Sequence, residues 1–264
     1  MPVSSARPKN SAVLVSIGGF DPSGGAGVLL DAAVFRRFGF RPAAVLSALT
    51  VQNSRAVREV NPVPPDLVRR QWRALACDLP IAGVKIGMLG SAANLEAAAA
   101  ILRRRAGAPR VIDPVLRSSS GARLLDPAAV SDYLRLVRGL AELITPNIQE
   151  AARLARRPIA DVPDMAAAAR RIYESSGIPC LVKGGHLERR AVDILFDGTA
   201  VRTYSRPRWK RDVHGTGCLL SAAILSFLAR GAALPEACRR AGAWSHRMIG
   251  KAVRPGAGRF LFTV

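Results

Sequence analysis

Short runs of consecutive apolar residues alternate along this chain with longer segments whose apolar positions recur at helical spacing. The alternation predicts a strand over 13–17, a glycine-rich turn, a helix over 27–38 and a second strand over 43–46. A helix over 64–77 follows, with Pro65 and Asp66 at its start, then a strand over 82–86 and an alanine-rich helix over 92–105. Further on, strands are expected at 111–112, 143–145 and 180–183, and helices at 127–139, 147–156 and 165–175. Segments 191–196 and 200–204 flank Asp197-Gly198, a strong hairpin signal. Two long helices, 217–230 and 235–251, close the pattern.

Strands alternating with helices argue for an α/β fold with a doubly wound, mostly parallel sheet flanked by helices and one antiparallel excursion. Ligands of such sheets bind beyond the carboxyl ends of the strands. At 264 residues, with 49% hydrophobic content and no internal linker, the chain reads as a short polar tail over 1–11 followed by one domain over 12–264. No apolar run is long enough to cross a bilayer, and residues 1–11 lack the apolar middle of a secretory signal. Cys77, Cys180, Cys218 and Cys238 show neither a CxxC pair nor metal-like spacing, so reduced thiols in a cytoplasmic protein fit best. Three of them read as small apolar residues of helices or strands, and Cys218 stands apart.

The net charge of +20 raises the question of a polyanionic partner. The cations are nearly all arginines in scattered pairs such as Arg36-Arg37, Arg69-Arg70 and Arg156-Arg157 on helical patterns. Arg103-Arg104-Arg105 forms the longer run, at a helix end where cations suit the dipole. Aromatics make up 5% of the chain and do not cluster with these pairs, so a solvated surface is expected and no nucleic acid or membrane partner.

Candidate chemistry collects at the strand ends. The first strand runs into Gly18-Gly19-Phe20-Asp21-Pro22-Ser23-Gly24-Gly25-Ala26-Gly27, which is neither GxxxxGK[ST] nor GxGxxG. Its glycines suit either a ligand loop or a plain strand-to-helix turn, and Asp21 favours the former because an acid there can hold a ligand hydroxyl or amine. His214-Gly215-Thr216-Gly217-Cys218 opens an apolar helix, where free N–H groups make a hole for a transferring phosphoryl group. Cys218 in the first turn is expected to have a lowered pKa and to serve as proton acceptor, the plainer reading being an inert thiol beside a glycine turn. Asp113, before Pro114, and Asn147 with Glu150, after Thr145-Pro146, suit Mg²⁺ and its waters or ordinary helix caps. Lys183 ends a strand within reach of a phosphate.

Taken together these blocks resemble the bacterial hydroxymethylpyrimidine/phosphomethylpyrimidine kinases of thiamine biosynthesis, in the ribokinase superfamily. The resemblance runs from the Asp21–Gly27 loop through Ala48-Leu49-Thr50-Val51-Gln52-Asn53, Lys85-Ile86-Gly87-Met88-Leu89, Asp113-Pro114-Val115, Thr145-Pro146-Asn147 with Glu150, Lys183-Gly184-Gly185-His186, and His214–Cys218, in family order. It implies a ribokinase-like fold, two successive ATP-dependent phosphorylations of the aminopyrimidine with Mg²⁺, and a homodimer. By position, Gln52, Asp21, Gly19 and Met88 would bind the pyrimidine, while Asn147, Lys183, His214 and Gly217 would bind ATP. Gly215, Thr216, Gly217, Cys218 and Lys183 would act in catalysis, and Asp113 and Glu150 would serve the metal. Phe20, Leu219 and Val51 depart from the family pattern, and a lysine often found near Arg117-Ser118-Ser119-Ser120-Gly121 is missing; these bear on substrate choice. Pyridoxal-type vitamin kinases share much of this framework. A non-catalytic vitamin-binding protein would lack the phosphoryl hole or the metal acids, yet Gly215, Gly217, Asp113 and Glu150 are all present.

Overall fold

The computed structural model describes residues 12–104, 107–118, 121–184 and 190–264. The expected tail over 1–11, Arg105, Ser119-Ser120 and Gly185-His186 lie outside the described residues. The chain runs β1 (Val13–Phe20), α1 (Gly27–Arg37), β2 (Arg41–Gln52), β3 (Val57–Pro62), α2 (Pro65–Ala76), β4 (Ile81–Ile86), α3 (Ala92–Arg103) and β5 (Arg110–Ile112). It continues through α4 (Pro127–Leu136), β6 (Leu143–Ile144), α5 (Ile148–Leu154), α6 (Val162–Ser176), β7 (Cys180–Gly184), β8 (Arg190–Phe196), β9 (Val201–Pro207), α7 (Thr216–Leu228) and α8 (Leu234–Lys251).

All strands join one nine-stranded sheet in the order β3-β2-β1-β4-β5-β6-β7-β8-β9. β2, β1, β4, β5, β6 and β7 are mutually parallel, whereas β3 and the β8–β9 hairpin are antiparallel additions at the two edges. The central strand β1 is buried on both faces because successive side chains point to opposite sides. Val13, Val15 and Ile17 enter a core under α2 to α6, and Leu14 enters a second core under α1, α7 and α8. The strand order reverses between β1 and β4, so the connections leaving their carboxyl ends run to opposite sides and leave a crevice at the switch point.

Helix starts follow ordinary capping chemistry. Ser91, Asp126, Asn147 and Asp161 each accept a backbone N–H of the following first turn, and Gly177 closes α6 in the left-handed region. The Asp197-Gly198 hairpin forms, with Asp197 Oδ1 accepting the Thr199 and Ala200 N–H groups at 3.0 and 2.8 Å. No helix among the described residues is long and apolar enough to cross a membrane.

Three expectations need correction. β2 runs on to Gln52 and pairs with β3, which the apolar pattern misses; the extension buries only Ala48 and Thr50 on one side and leaves Leu49 and Val51 exposed. There are therefore antiparallel additions at both edges of the sheet and not one excursion. Cys77 is not a buried apolar residue: it caps the surface end of α2 and is exposed, while Cys180 and Cys238 are buried.

Ile112 is fully buried on β5, between β4 and β6. Ile112→Ala is expected to destabilise the protein by about 2–5 kcal/mol, read as a lower urea midpoint at unchanged slope.

Candidate active site

The crevice is walled first by the loop leaving β1. Asp21 is 3% exposed, and its Oδ1 accepts the Ser23 N–H at 2.9 Å and the Ser23 hydroxyl at 2.7 Å, which closes a tight turn. Gly27 has φ +60°, and a Cβ there would strike the Gly19 carbonyl, so glycine is required on both grounds. A Cβ at Gly19 would lie 2.9 Å from Met88 Sδ, so the bare backbone of Gly19 is what seats Met88 against the loop.

His214 links this loop to β2. Its Nε2 lies 2.9 Å from Asp21 Oδ2 and 2.9 Å from the Gln52 side-chain amide. Asp21 only accepts, so Nε2 carries the proton. Thr50 Oγ1 donates to the Phe20 carbonyl at 2.9 Å and lies 3.2 Å from the Gln52 amide. With the Gln52 oxygen facing His214 and its NH₂ donating to Thr50 Oγ1, the single Nε2–H is shared between Asp21 Oδ2 and the Gln52 oxygen; this orientation is chosen from the network because the two amide ends have nearly the same shape. Burial works to raise the Asp21 pKa, but the bonds from His214 and Ser23 outweigh it and the net shift is downward. The structure thus sets His214 between Asp21 and Gln52, the residues expected to bind the pyrimidine, and its ring bridges the two.

The second wall is the start of α7. Gly215, at φ +80°, caps it, and a Cβ there would overlap the Gly25 carbonyl. Thr216, Gly217 and Cys218 form the first turn, whose N–H groups point out of the helix end. A Cβ at Gly217 would stand 3.0 Å from Lys183 Nζ and 3.5 Å from Asp113 Oδ2, so the hole, the lysine and the acid converge on one point. Cys218 does not carry the lowered pKa expected of it. Burial pushes its thiol up to about 11, with Asp31 and Asp113 adding to the rise and Lys85 and the Gly27 N–H opposing it. In the free protein near neutral pH it is therefore a thiol and not a proton acceptor. Leu219 faces away from the site and is fully buried in the core beneath α7.

The acids sit at the ends of β5 and β6. Asp113 is 2% exposed; its Oδ1 accepts Lys183 Nζ at 2.7 Å and Thr145 Oγ1 at 3.3 Å, and its Oδ2 accepts Ser221 Oγ at 3.2 Å. Burial would raise its pKa, but Lys183 and Lys85 carry it below the ordinary range. Lys183 stays charged because Asp113 and Glu150 overcome the cost of its burial. Glu150 and Asn147 form a capping box: Glu150 Oε2 accepts the Asn147 N–H at 2.8 Å, and Asn147 Oδ1 accepts the Glu150 N–H at 2.9 Å. The Asn147 oxygen is thus engaged in capping. Burial, reinforced by Asp113, pushes the Glu150 pKa up to about 7 against the pull of Lys183. Among the described residues no group of three or more His, Cys, Asp or Glu side chains gathers to hold a metal. Two buried acids with only one lysine between them do fit Mg²⁺, which takes one or two carboxylates and fills the rest of its shell with water and phosphate.

Thr50, Ser221 and the Phe260-Leu261 segment were not picked out by motif reading. Thr50 and Ser221 are ordinary hydroxyls whose roles depend on partners distant in sequence. Phe260 accepts the His214 N–H at 2.9 Å, and the Leu261 side chain would meet a Cβ at Gly25 at 2.8 Å.

A model of the phosphomethylpyrimidine kinase family matches residues 21–262. The chain is 38% identical over 252 residues to a hydroxymethylpyrimidine/phosphomethylpyrimidine kinase of Aquifex aeolicus, covering 93% of this chain and 97% of the relative. It is 42% identical over 230 residues to a thiamine biosynthesis bifunctional protein of Geobacter sulfurreducens, covering 86% of this chain and 47% of that longer one. Among solved structures it superimposes on a Bacillus subtilis pyridoxal kinase in complex with ADP with a TM-score of 0.88 at 27% identity, covering 96% and 97% of the two chains.

The raised pKa of Glu150 yields a signed pH prediction. The unfolded chain gives up this proton in the ordinary carboxyl range, whereas the folded protein holds it to about pH 7. The resulting stability, up to about 3 kcal/mol, is present at low pH and falls away as pH rises towards 7. Glu150→Gln keeps the capping box and removes the titration, so melting curves from pH 5 to 8 are expected to flatten in the variant.

Proposed function

The chain belongs to the phosphomethylpyrimidine kinase family, and from that premise we propose that it phosphorylates 4-amino-5-hydroxymethyl-2-methylpyrimidine and then its monophosphate, using ATP, in thiamine biosynthesis. The observation that carries this reading is the convergence of the Lys183–Asp113 pair and the first turn of α7 on Gly217, at the crevice walled by Asp21, Gly19, Gln52 and Met88.

In the first step the hydroxymethyl oxygen attacks the γ-phosphorus of ATP, the bond from that phosphorus to the ADP oxygen breaks, and the hydroxyl proton passes to an oxygen of the transferred phosphoryl group and on to water. In the second, an already ionised oxygen of the monophosphate attacks a second ATP and needs no base. Charge spreads over the transferring oxygens in both, so the N–H groups of Gly217 and Cys218 and the ammonium of Lys183 supply most of what the reaction requires. Gly215 and Thr216 hold that turn open. Gln52 and Asp21 orient the aminopyrimidine, and His214 ties them together. Asp113 aligns Lys183, and with Glu150 it would hold Mg²⁺ through water, which would neutralise charge on the nucleotide phosphates. Asn147, beside Lys183 at the sheet end, flanks the nucleotide side.

Cys218, neutral and half-buried in the first turn of α7, has a positional role in this account. We also take residues 12–264 to act as one kinase domain in the cytoplasm, and as a homodimer; exposed Leu49 and Val51 on the outer face of β2 are suited to such a contact.

ADP release is the direct test, with MgATP and hydroxymethylpyrimidine, its monophosphate or pyridoxal. Turnover of either pyrimidine well above pyridoxal is expected; turnover of pyridoxal alone would move the protein to the vitamin B6 kinases, with Phe20 as the suspect. No turnover with any of the three would point to a binding protein. Gly217→Val pushes a side chain into the Lys183 ammonium and is expected to lower kcat by about 10³-fold or more while the fold persists. Cys218→Ala is expected to slow both steps by similar factors. A loss confined to the first step would show the thiol acting as base.

A further inference from the structure

We propose that Lys85, held by Asp31 and Ser16, is the positioning residue of the pyrimidine pocket; the inference rests on the kinase reading above. Lys85 is fully buried on β4, with Nζ 2.8 and 2.7 Å from the two oxygens of Asp31 on α1. Ser16 of β1 donates its hydroxyl to Asp31 Oδ2 at 2.6 Å. None of the three has a part in phosphoryl transfer as set out above. Removing an ammonium and a carboxylate from water is costly, and a packed apolar pair of similar volume is commonly as stable or more so. Packing alone therefore gives no reason for ions here.

The ions supply directional bonds that an apolar pair lacks, and these bonds join three chain segments. Ser16 lies on β1 ahead of Phe20, after which the substrate loop departs, and Asp31 lies one turn after Gly27, where the loop ends. Lys85 lies just before Gly87 and Met88, the opposite wall. Both ends of the loop and the strand bearing Met88 are thus referred to a single ammonium. The segments are in ordinary van der Waals reach of one another: a Cβ at Gly87 would stand 3.6 Å from Lys85 Nζ, and one at Gly18 would stand 3.6 Å from Ser16 Oγ and 4.0 Å from the Gly87 Cα. The adjoining Asp31 keeps the Lys85 ammonium charged despite its burial. A shift at this point moves Gly19 and Met88 relative to each other, and misplacement of a substrate by about 1 Å can cost about 10²-fold in rate.

The double variant Lys85→Met/Asp31→Leu tests this, because it removes both charges and refills the space. It is expected to melt within a few degrees of the wild type. Its KM for hydroxymethylpyrimidine should rise by about tenfold or more and its kcat fall by about tenfold or more, with KM for ATP within about twofold. Amide exchange in residues 19–27 should quicken, while that in β4 and β5 should not. A folded double variant with wild-type KM values and wild-type exchange in 19–27 would overturn the proposal, as would equal rises in both KM values. If the double variant does not fold, Ser16→Ala decides: a selective rise of about threefold in the pyrimidine KM supports the role, and no change refutes it. A wild-type protein that turned over no pyrimidine would remove the kinase reading, and the exchange comparison would still decide the role of Lys85.

Discussion

Two glycine backbones in contact set the geometry of this molecule. The Gly25 carbonyl occupies the place where a side chain on Gly215 would begin, so the loop before α1 and the turn before α7 pack main chain against main chain. A close approach of this kind is open only to residues without a Cβ, and Gly215 also needs a left-handed backbone. Its consequence is that the free N–H groups at the start of α7 face the crevice beside the substrate loop. The β1 loop and the start of α7 are therefore neighbours by construction, although almost two hundred residues separate them in the chain. Gly27 against Gly19 and Gly19 against Met88 extend the same logic across the pocket floor.

Around that contact the charges are arranged by depth. The surface carries arginine, which stays ionised and hydrated on any exposed helix, whereas Lys85, fully buried, and Lys183, half-buried, are each bonded to an aspartate at the sheet ends. Lys183 with Asp113 lies at the phosphoryl hole, and Lys85 with Asp31 lies beneath the loop. Lysine suits both places because its charge is compact and its stem can thread between strands, where a planar guanidinium would need more room. The excess acid is Glu150, whose raised pKa reflects a negative charge with too little compensation nearby. A nucleotide site that takes up a divalent cation has a use for such an excess.

The same burial changes the role of Cys218. A helix start favours a thiolate, but the field of one helix end is modest, and desolvation in the packed interior is larger and of opposite sign. A thiol at about pKa 11 can define the shape of the hole without taking a proton from substrate. Phosphoryl transfer with a loose transition state tolerates this, since alignment and charge stabilisation outweigh base strength.

Periodicity alone was enough to read the alternating strands and helices, the Asp197-Gly198 hairpin and the glycine clusters at strand ends, because each depends on residues adjacent in the chain. The motifs likewise marked Asp21, Gln52, Asp113, Lys183 and Gly217 as chemistry. β3 escaped that reading because Val57–Pro62 has little apolar patterning and exists by pairing with β2. The partners of His214, the state of Cys218 and the burial of Lys85 with Asp31 were decided by the tertiary structure. Which groups meet across the sheet, and how much water remains between them, depends on segments that approach only when the chain has folded. Hydrogen bonds and pKa values follow from those approaches and from local dielectric, neither of which is written in the order of residues.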